Sequence, residues 1–485
     1  MDARKRLVVI GLDGLSWDTC NILMRYCSAA TLKYLLDRAQ KKTLISTIPP
    51  MTAIAWTSIF TGVNPGKHGI FGFLHFNKYS SSARLATSRD VKYPRIWEVL
   101  SRHGYDAQLV VNIPLSTPFN KFSGVGIPDW LSQRPRIYVH ENIKSHVNRI
   151  LREEYKNLIA YSGKMWWFLG GDISLALKLM LDDLMRKTDA YIKLLEAYEW
   201  ETIFIVFSEI DWIQHVAFKE LATLNKSVLK VASRLLECID RVLEKIYKVF
   251  GKDAIYVFVS DHGFRIYTRM IYLNKYLIDA GLVKVSTFAR AIYTNDITYG
   301  IANKICRLMN TLLRKEMPRF LRRGTVEYSH SLAFMPEDAS SLGVRINKIL
   351  LHKLGIPYRD FRAKIMRYLV NLNRRCGFLS IIEPRERIYW GKYVSYGPDI
   401  VLLPNINRGD WIFPSMSTKY IKKTTYGYHD MEGVFGLVDL HDDFHIRDNI
   451  VRLSVYDVAP IIFSVLGVAP PKGLDGKDPR SIFTK

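Results

Sequence analysis

Short apolar runs that end in acidic or histidine side chains constrain the fold of this chain more than any other feature. The first run is Leu7–Ile10, which leads into Gly-Leu-Asp-Gly and so to the carboxylate of Asp13. Two further runs, Thr202–Phe207 and Ala254–Val259, are also followed directly by acidic residues and histidines. A continuous apolar run of this length is typical of a strand that is buried on both faces. The sequence therefore predicts buried strands with polar tips.

Helical patterns separate these strands. The stretches Ser16–Arg38 and Ile96–Arg102 are predicted helices, and Gln108–Asn112 and Ile400–Leu403 are further predicted strands. The alternation of strand and helix favours a mainly parallel sheet with helices on both faces. Open α/β sheets bind their ligands beyond the carboxyl ends of the strands, so we expect the polar clusters there, including the one after Ile400–Leu403, to form one site.

Two stretches interrupt the alternation. Residues 135–195 are helix-rich and aromatic, and residues 285–380 carry a basic run between Arg314 and Arg323, followed by a helix near Phe361–Asn373. We expect a helical insertion and a second insertion or cap, both covering the active edge of the sheet. The predicted catalytic core is the remaining sequence, residues 1–134, 196–284 and 381–485.

A surplus of positive charge favours anionic partners. The 485 residues include 69 Lys and Arg against 46 Asp and Glu, a formal net charge of +23. Phosphate substrates, nucleic acid and an anionic membrane surface are all compatible with this surplus. The basic run at Arg314–Arg323 is a candidate contact for substrate or membrane, and a simply solvated surface is the alternative.

Targeting and membrane signals are weak. The first residues lead straight into the strand at Leu7 and leave no room for a signal peptide. The most apolar stretch, Met165–Leu181, is interrupted by Asp172 and Lys178, which predicts a buried or interfacial helix rather than a membrane span. The five cysteines are scattered without a C-x-x-C spacing, which argues against a disulfide framework and a thiolate zinc site. We expect a cytoplasmic protein.

A candidate nucleophile lies in the stretch TIPPMTAIAW. Pro49 and Pro50 disfavour helix just before them, so a helix is predicted to begin near Thr52. The exposed N–H groups at a helix start favour an incoming anion such as phosphate. An ordinary N-cap threonine is the alternative explanation.

Six side chains of the metal-binding type follow or flank the predicted strands. They are three carboxylates and three imidazoles: Asp13, Asp211, His215, Asp261, His262 and His429. Asp211 and His215 are four residues apart and would share one face of a helix, whereas His429 lies in a predicted flexible, polar loop. Taken separately, each motif has a simpler explanation. Asp211 and His215 could be a pair on a surface helix, Asp261 could cap a turn, and His429 could be an ordinary loop histidine. Together, mixed His and Asp ligands suit zinc, and also manganese or iron.

In this order the motifs resemble the alkaline phosphatase superfamily, and within it the type I phosphodiesterase/nucleotide pyrophosphatase family. The matching motifs are Gly11-Leu12-Asp13-Gly14, Pro50-Met51-Thr52, Pro65-Gly66-Lys67-His68-Gly69-Ile70, Asp211 to His215, Ser260-Asp261-His262-Gly263 and His429. The resemblance implies an alkaline-phosphatase-like α/β core, with a mainly parallel sheet sandwiched between helices, and two divalent metal ions. We expect zinc, with manganese or iron as alternatives.

The resemblance also implies roles for these residues. Thr52 matches the nucleophile that forms a phospho-enzyme, and it is a ligand of the metal held by Asp13, Asp261 and His262. The matches for the second metal are Asp211, His215 and His429. We expect His68 to be structural. The chemistry is consistent, because a metal lowers the pKa of a hydroxyl and so activates it.

The chain departs from the family pattern at two places. Phe73 stands where nucleotide pyrophosphatases of this family usually have an Asn that binds a phosphoryl oxygen, and Ala55-Trp56 replaces the usual Asn-His after the nucleophile. The sulfatase motif C-x-P-x-R is absent, which argues against sulfate esters. These departures weigh against nucleotide specificity and leave the metal ligands intact.

We therefore expect a dinuclear-metal-dependent phosphodiesterase or phosphatase that acts on a small-molecule phosphate ester through a phospho-threonine. A phosphomutase of the same superfamily is one alternative. A transferase of lipid-linked phospho-head-groups is another, and it would suit an interfacial helix at Met165–Leu181. A non-catalytic protein that binds anions or nucleic acid would explain the charge but not six metal-type ligands.

Overall fold

The structure is a computed structural model of the chain. It describes residues 4–76, 83–132, 135–159, 173–285, 326–336, 342–413, 417 and 419–484. The basic run at Arg314–Arg323 lies outside the described residues, as does the first half of Met165–Leu181. No helix within the described ranges is long and apolar enough to cross a membrane.

Within the described residues, the strands form one large sheet and three smaller ones. In chain order they are β1 (Arg6–Leu12), β2 (Gln40–Ile45), β3 (Leu74–Phe76), β4 (Ala83–Leu85), β5 (Gln108–Val111), β6 (Gly124–Ile127), β7 (Tyr138–Val139), β8 (Thr202–Phe207), β9 (Ala254–Val259), β10 (Gly263–Tyr272), β11 (Ala333–Phe334), β12 (Gly343–Ile346), β13 (Leu379–Pro384), β14 (Ile400–Pro404), β15 (Asp410–Phe413), β16 (Ile421–Asp430), β17 (Glu432–Val438) and β18 (Arg452–Ser454).

The large sheet has nine strands in the order β18-β2-β17-β9-β1-β8-β5-β6-β7. The five consecutive strands from β9 to β6 are parallel, whereas β17 and β7 run antiparallel to their neighbours. The mainly parallel sheet is thus confirmed, and the predicted strands at its centre are those observed. All five parallel strands deliver their carboxyl ends to the same edge.

The helices pack mainly against this sheet. In chain order they are α1 (Trp17–Tyr26), α2 (Ala30–Asp37), α3 (Thr52–Thr61), α4 (Pro65–His68), α5 (Ile96–Arg102), α6 (Glu141–Glu153), α7 (Tyr155–Leu158), α8 (Ile173–Glu196), α9 (Glu209–Ala222), α10 (Lys226–Phe250), α11 (Leu273–Asp279), α12 (Lys348–Lys353), α13 (Tyr358–Cys376), α14 (Arg385–Ile388), α15 (Val458–Val465) and α16 (Pro479–Ile482).

The predicted single helix Ser16–Arg38 is in fact two helices. Cys27 is extended, with φ −122° and ψ 150°, and so ends α1. The carboxylate of Asp240 on α10 then accepts a hydrogen bond from the N–H of Leu32 at 2.7 Å, near the start of α2. The break is therefore stabilised by a partner more than 200 positions away in sequence.

Alternate residues of β1 enter two separate cores. Val8 and Ile10 pack in a cluster with α1, α2, α8, α9 and α10, and Leu7 and Val9 pack in a cluster with α3, α5 and α15. All four side chains are fully buried. A strand that is covered on both faces is expected in a parallel sheet, which explains the continuous apolar run.

Helices from the predicted first insertion also contribute to this core. Leu177, Met180 and Leu194 of α8 lie in the same cluster as Val8 and Ile10. The helix α8 thus covers a face of the sheet. The proposed division of the chain into a core and two insertions stays a prediction.

The strand predicted at Ile400–Leu403 is observed but belongs elsewhere. It is β14, which pairs antiparallel with β12 and β13 in a separate four-stranded sheet packed on a third core. The side chain of Asn405 that follows it caps a turn, accepting from the N–H of Arg408 and donating to the Gly377 carbonyl, each at 3.3 Å. The expectation that the polar cluster after this strand joins the site was therefore wrong.

Candidate metal centre

The end of β1 carries Asp13 into the site. The Asp13 N–H donates to the Phe207 carbonyl at 3.2 Å, which extends the pairing with β8 by one residue. Gly14 has a φ of +68°, a conformation that favours glycine, and its N–H donates to Asp261 Oδ1 at 3.2 Å. This turn holds the ends of β1 and β9 together.

Gly11 in β1 is required by close packing. A Cβ at this position would lie 2.6 Å from Trp56 Cη2 and 2.7 Å from a methyl group of Val206. Trp56 lies within α3, the helix that begins at Thr52, and is fully buried. Ala55-Trp56, which replaces the usual Asn-His, is thus part of the core.

Three predicted ligands meet at the ends of β1 and β9. Asp13, Asp261 and His262 each offer a ligand atom within 4.8 Å of the others, and we call them the Asp13 group. His262 Nε2 lies 3.2 Å from Asp261 Oδ2 and 3.9 Å from Asp13 Oδ1. All three side chains are almost completely buried.

The other three predicted ligands also meet. Asp211 and His215 lie one turn apart on α9, and with His429 they form what we call the Asp211 group, whose ligand atoms also lie within 4.8 Å of one another. Asp211 Oδ1 is 3.4 Å from His215 Nε2 and 3.5 Å from His429 Nε2, and the two ring nitrogens approach to 3.0 Å.

The prediction that His429 lies in a flexible loop was wrong. His429 is in β16, where it pairs with Phe264 of β10. Tyr267 on β10 donates its O–H to the His429 carbonyl at 2.6 Å. The glycine-rich, polar local sequence gave no period-2 pattern, but pairing with β10 makes the segment a strand.

The two groups lie side by side, with Thr52 beside the Asp13 group. The rings of His262 and His429 stack with their centroids 3.6 Å apart. Thr52 Oγ1 is 3.3 Å from His262 Nε2. Thr52 is the first residue of α3, whose N-cap is Met51, and no side chain caps this end of the helix. The N-cap alternative for Thr52 is therefore wrong, and its hydroxyl is directed toward the Asp13 group.

Backbone carbonyls orient two of the imidazoles. His262 Nδ1–H donates to the Gly263 carbonyl at 3.1 Å, and His429 Nδ1–H donates to the Pro50 carbonyl at 2.9 Å. With the proton on Nδ1, each Nε2 presents a lone pair to the site, so Thr52 donates its O–H to His262. This arrangement is common for histidines that bind metal ions.

Burial and mutual repulsion shift the pKa values of the site. Burial raises the pKa of Asp13 well above its ordinary value, and the charges of Asp261 and Asp211 add to that effect. The pKa of Asp261 is raised to about 7, mainly by burial. Burial also raises the pKa of Asp211, but the neighbouring imidazoles, His215 foremost, outweigh it and bring the value down to about 2. Burial lowers the pKa of His215 to about 4.

Buried carboxylate oxygens without a hydrogen-bond partner make the site suitable for two cations. Asp13 Oδ1, Asp211 Oδ1 and Asp261 Oδ2 are buried and accept no hydrogen bond from the described part of the chain. Buried acceptors without a partner are costly, and three carboxylates at close range repel one another. Neutral imidazoles and carboxylates are also suitable ligands for zinc and similar metals. Each group could thus hold one divalent ion.

His68 lies outside both groups. It is fully buried, its Nε2 is 3.0 Å from Ser58 Oγ, and its Nδ1 accepts the N–H of Ile70 at 3.1 Å. Burial lowers its pKa to about 3, so it is a neutral group that ties α3 to α4. Phe73, at the position of the missing Asn, packs edge-on against Trp130.

The sequence gave no indication of several residues around the centre. The carbonyls of Pro50 and Gly263 orient the imidazoles, and any residue could supply a carbonyl. Lys187 on α8 lies 3.6 Å from Asp183 Oδ2 and 4.0 Å from Oε1 of Glu209, the residue at the start of α9, and all three are buried. A buried lysine in an amphipathic helix has the same local pattern as an exposed one, so this cluster could not be predicted.

Comparison with known proteins gives one family and a set of similar folds. Residues 7–318 match the family model described as type I phosphodiesterase/nucleotide pyrophosphatase. No curated protein matches the chain. Many solved structures resemble it, and three of them, described next, do so over nearly all of both chains, at sequence identities that show the fold alone.

One of these is murine ectonucleotide pyrophosphatase/phosphodiesterase 5 in complex with AMP, at 12% identity and a TM-score of 0.57, covering 99% of this chain and 100% of that one. Another is phosphonoacetate hydrolase from Sinorhizobium meliloti, at 14% identity and a TM-score of 0.55, with 96% of each chain covered. The third is the alkaline phosphatase PafA, at 13% identity and a TM-score of 0.60, with 100% of each chain covered. The alkaline-phosphatase-like fold is thus confirmed.

Proposed function

The chain belongs to the type I phosphodiesterase/nucleotide pyrophosphatase family of phosphoester hydrolases, and from this premise we propose a dinuclear-metal mechanism with a phospho-threonine at Thr52. One observation carries the proposal. Two groups of buried ligands lie side by side, and the hydroxyl of Thr52 faces one of them from the start of a helix.

The chain's own residues would bind and orient the reactants. The first turn of α3 presents its backbone N–H groups and the positive end of its dipole to the phosphoryl oxygens. The ten residues of α3 are all buried, so Thr52 is held on a rigid element. Thr52 Oγ1 lies 3.3 Å from His262 Nε2, which places the hydroxyl beside the ligands of the Asp13 group.

Two divalent ions held by the Asp13 and Asp211 groups would supply positive charge to the attacking, leaving and non-bridging oxygens of the phosphoryl group. In the first step the Thr52 oxygen bonds to phosphorus while the bond to the leaving alcohol breaks. The Thr52 proton is lost to solvent, and the leaving oxygen is protonated from solvent. Attack of water on the phospho-threonine then restores Thr52 and releases the phosphate product.

Zinc is the metal that we propose for both groups, because His and Asp ligands in small closed clusters suit it; manganese and iron are the alternatives. The substrate is a small phosphate ester. The cytoplasmic location and a contact with an anionic membrane surface stay predictions.

Replacing Thr52 tests the proposal. Thr52→Ala should bind the same metal as wild type and lose several powers of ten in hydrolysis of phosphate mono- and diesters, whereas Thr52→Ser should retain much of the rate, since only the hydroxyl attacks. Each protein is loaded with Zn²⁺, Mn²⁺ or Mg²⁺ before assay. Acid quenching and mass spectrometry should find the phosphoryl group on Thr52 in wild type. A fully active Thr52→Ala enzyme would exclude Thr52 as the nucleophile.

A further inference from the structure

A large cavity is lined in part by the residues that follow β5 and β6. Its volume is about 1060 Å³, and none of the metal ligands lines it. Its walls are formed by the loops around β4, β5 and β6 and by the segment that precedes β7. The volume is at the upper end of the range for small-molecule sites.

Strand order places this cavity at the active edge of the sheet. Five of the six metal ligands follow β9, β1 and β8, and the next two strands in the sheet are β5 and β6. All five are parallel, so the residues after β5 and β6 lie at the same edge as the ligands. Leu115 and Thr117 follow β5 and line the cavity, as do Asp129 and Leu131, which follow β6.

Packing connects the cavity wall to the nucleophile. Ala86 and Leu115, both lining residues, form one apolar cluster with Ala53, and Leu131 packs against that cluster. Ala53 is the residue directly after Thr52. The wall of the cavity is therefore packed against the first turn of the helix that begins at Thr52.

The cavity carries unneutralised positive charge. Three arginines line it, and Arg84 is neutralised by Asp90, with Nη1 2.8 Å from the carboxylate. Arg89 and Arg136 are exposed, and neither forms an ion pair within the part of the chain that the structure describes. Hydroxyl groups of Thr87 and Ser132 lie in the same wall.

One buried carboxylate also lines the cavity, but it is already engaged. Asp129 accepts the Thr117 O–H at 2.9 Å and the Leu131 N–H at 2.8 Å. Burial raises its pKa to about 6. Asp129 thus fixes the loops after β5 and β6, and the accessible charges in the cavity are those of the arginines.

Resting on the proposed ester hydrolysis, we propose that this cavity binds an organic group of the substrate and selects phosphoric esters that carry a second anionic group. Guanidinium groups bind phosphate and carboxylate through paired hydrogen bonds, which suits them to this task. Arg89 and Arg136 are not among the metal ligands. Their role in the proposal is therefore to select the substrate rather than to take part in the bond-breaking step. The apolar wall at Leu115 and Leu131 would contact the part of the ester that joins the two anionic groups.

A matched pair of substrates tests the inference. The first is 4-nitrophenyl 3-hydroxypropyl phosphate, and the second is the same diester with a phosphate on the terminal hydroxyl, so that leaving group and reacting phosphorus are identical. At low ionic strength wild type should prefer the phosphorylated ester by about tenfold in kcat/KM, as expected for two partly exposed ion pairs. Added salt should reduce the preference.

Variants assign the preference to the arginines. In the double variant Arg89→Gln, Arg136→Gln the ratio of the two kcat/KM values should fall to about one, because both charges that favour the second anion are gone. The matched control is Arg374→Gln, Arg375→Gln, which removes two exposed charges at the end of α13 and should keep the wild-type ratio. A ratio near one in wild type, or an unchanged ratio in the Arg89 and Arg136 variant, would overturn the inference.

A binding measurement separates this inference from the proposed function. Calorimetry with 3-hydroxypropyl phosphate should show binding to wild type and weaker binding to the Arg89 and Arg136 variant, whether or not any ester is hydrolysed. If metal-loaded protein hydrolyses neither ester but the fragment still binds in this pattern, the proposed function is refuted and the cavity's preference for an anion is supported. Hydrolysis of both esters at equal rates, without binding of the fragment, would support the function and refute the preference.

Discussion

Replacing His68 with Gln tests whether this histidine is a buried structural group, as its position between α3 and α4 indicates. The folded-state pKa of His68 is about 3, against an ordinary value of 6.5, because burial disfavours its charged form. The unfolded chain therefore binds this proton more readily than the folded chain. The stability that neutral His68 confers is complete above pH 6.5 and is lost as the pH falls toward 3.

The magnitude follows from the size of the shift. Each pKa unit corresponds to about 1.4 kcal/mol, so at about pH 5 wild type should have lost about 2 kcal/mol of unfolding free energy through His68 alone. Because Gln does not titrate, the unfolding free energy of His68→Gln should not include this pH-dependent loss. At neutral pH the variant should have a lower unfolding free energy than wild type, because Gln does not fill the imidazole's place beside Ser58. The difference in unfolding free energy between the two proteins should decrease as the pH is lowered.

The assay is urea unfolding of both proteins between about pH 7.5 and about pH 5, in the presence of a chelator so that metal occupancy does not change with pH. His330→Gln is the matched control for a His-to-Gln change outside the core, because the His330 side chain is 70% exposed. If the difference in unfolding free energy between wild type and His68→Gln stays constant over this range, the assignment of His68 as a buried neutral group is wrong.

Two further predictions concern the metal centre and the buried ion pairs of Lys187 on α8. His215→Ala should reduce bound metal from about two ions per chain to about one and remove most of the rate, because Ala cannot refill the ligand position; elemental analysis after metal loading measures this, and an unchanged metal content would exclude His215 as a ligand. Lys187→Met should lower the unfolding free energy by about 3 kcal/mol, because it leaves the buried carboxylate of Glu209 without its cation and leaves Asp183 with only the partly exposed Arg186. Lys178→Met, an exposed change on the same helix α8, is its control, and equal stability of the two variants would contradict the role of Lys187.

The central strands and the metal-type ligands could be predicted from the sequence because both depend on local patterns. Leu7–Ile10 and Ala254–Val259 are continuous apolar runs, and a strand covered on both faces produces such a run whatever lies around it. The spacing of Asp211 and His215 needs only the geometry of a helix to place both side chains on one face. The start of α3 at Thr52 follows from the two prolines before it.

The sequence did not predict features that depend on distant partners. His429 is in a strand because β16 pairs with β10. The strand β14 lies outside the central sheet, where it was predicted, because it pairs with β12 and β13. The helix predicted across Cys27 is broken where the carboxylate of Asp240 meets the start of α2. Such pairings join segments far apart in sequence and leave no local period that would identify them.

The sequence by itself thus determined which side chains could bind metal and which strands carry most of them. The family resemblance already implied the division into the Asp13 and Asp211 groups. Only the tertiary structure decided that the two groups lie side by side, with the rings of His262 and His429 stacked, and that Thr52 begins α3 rather than capping it. It also decided that Arg89 and Arg136 line a cavity at the same edge of the sheet. The physical reason is that ligand chemistry is a property of single residues, whereas distances between them are set by the packing of strands and helices that are remote in sequence.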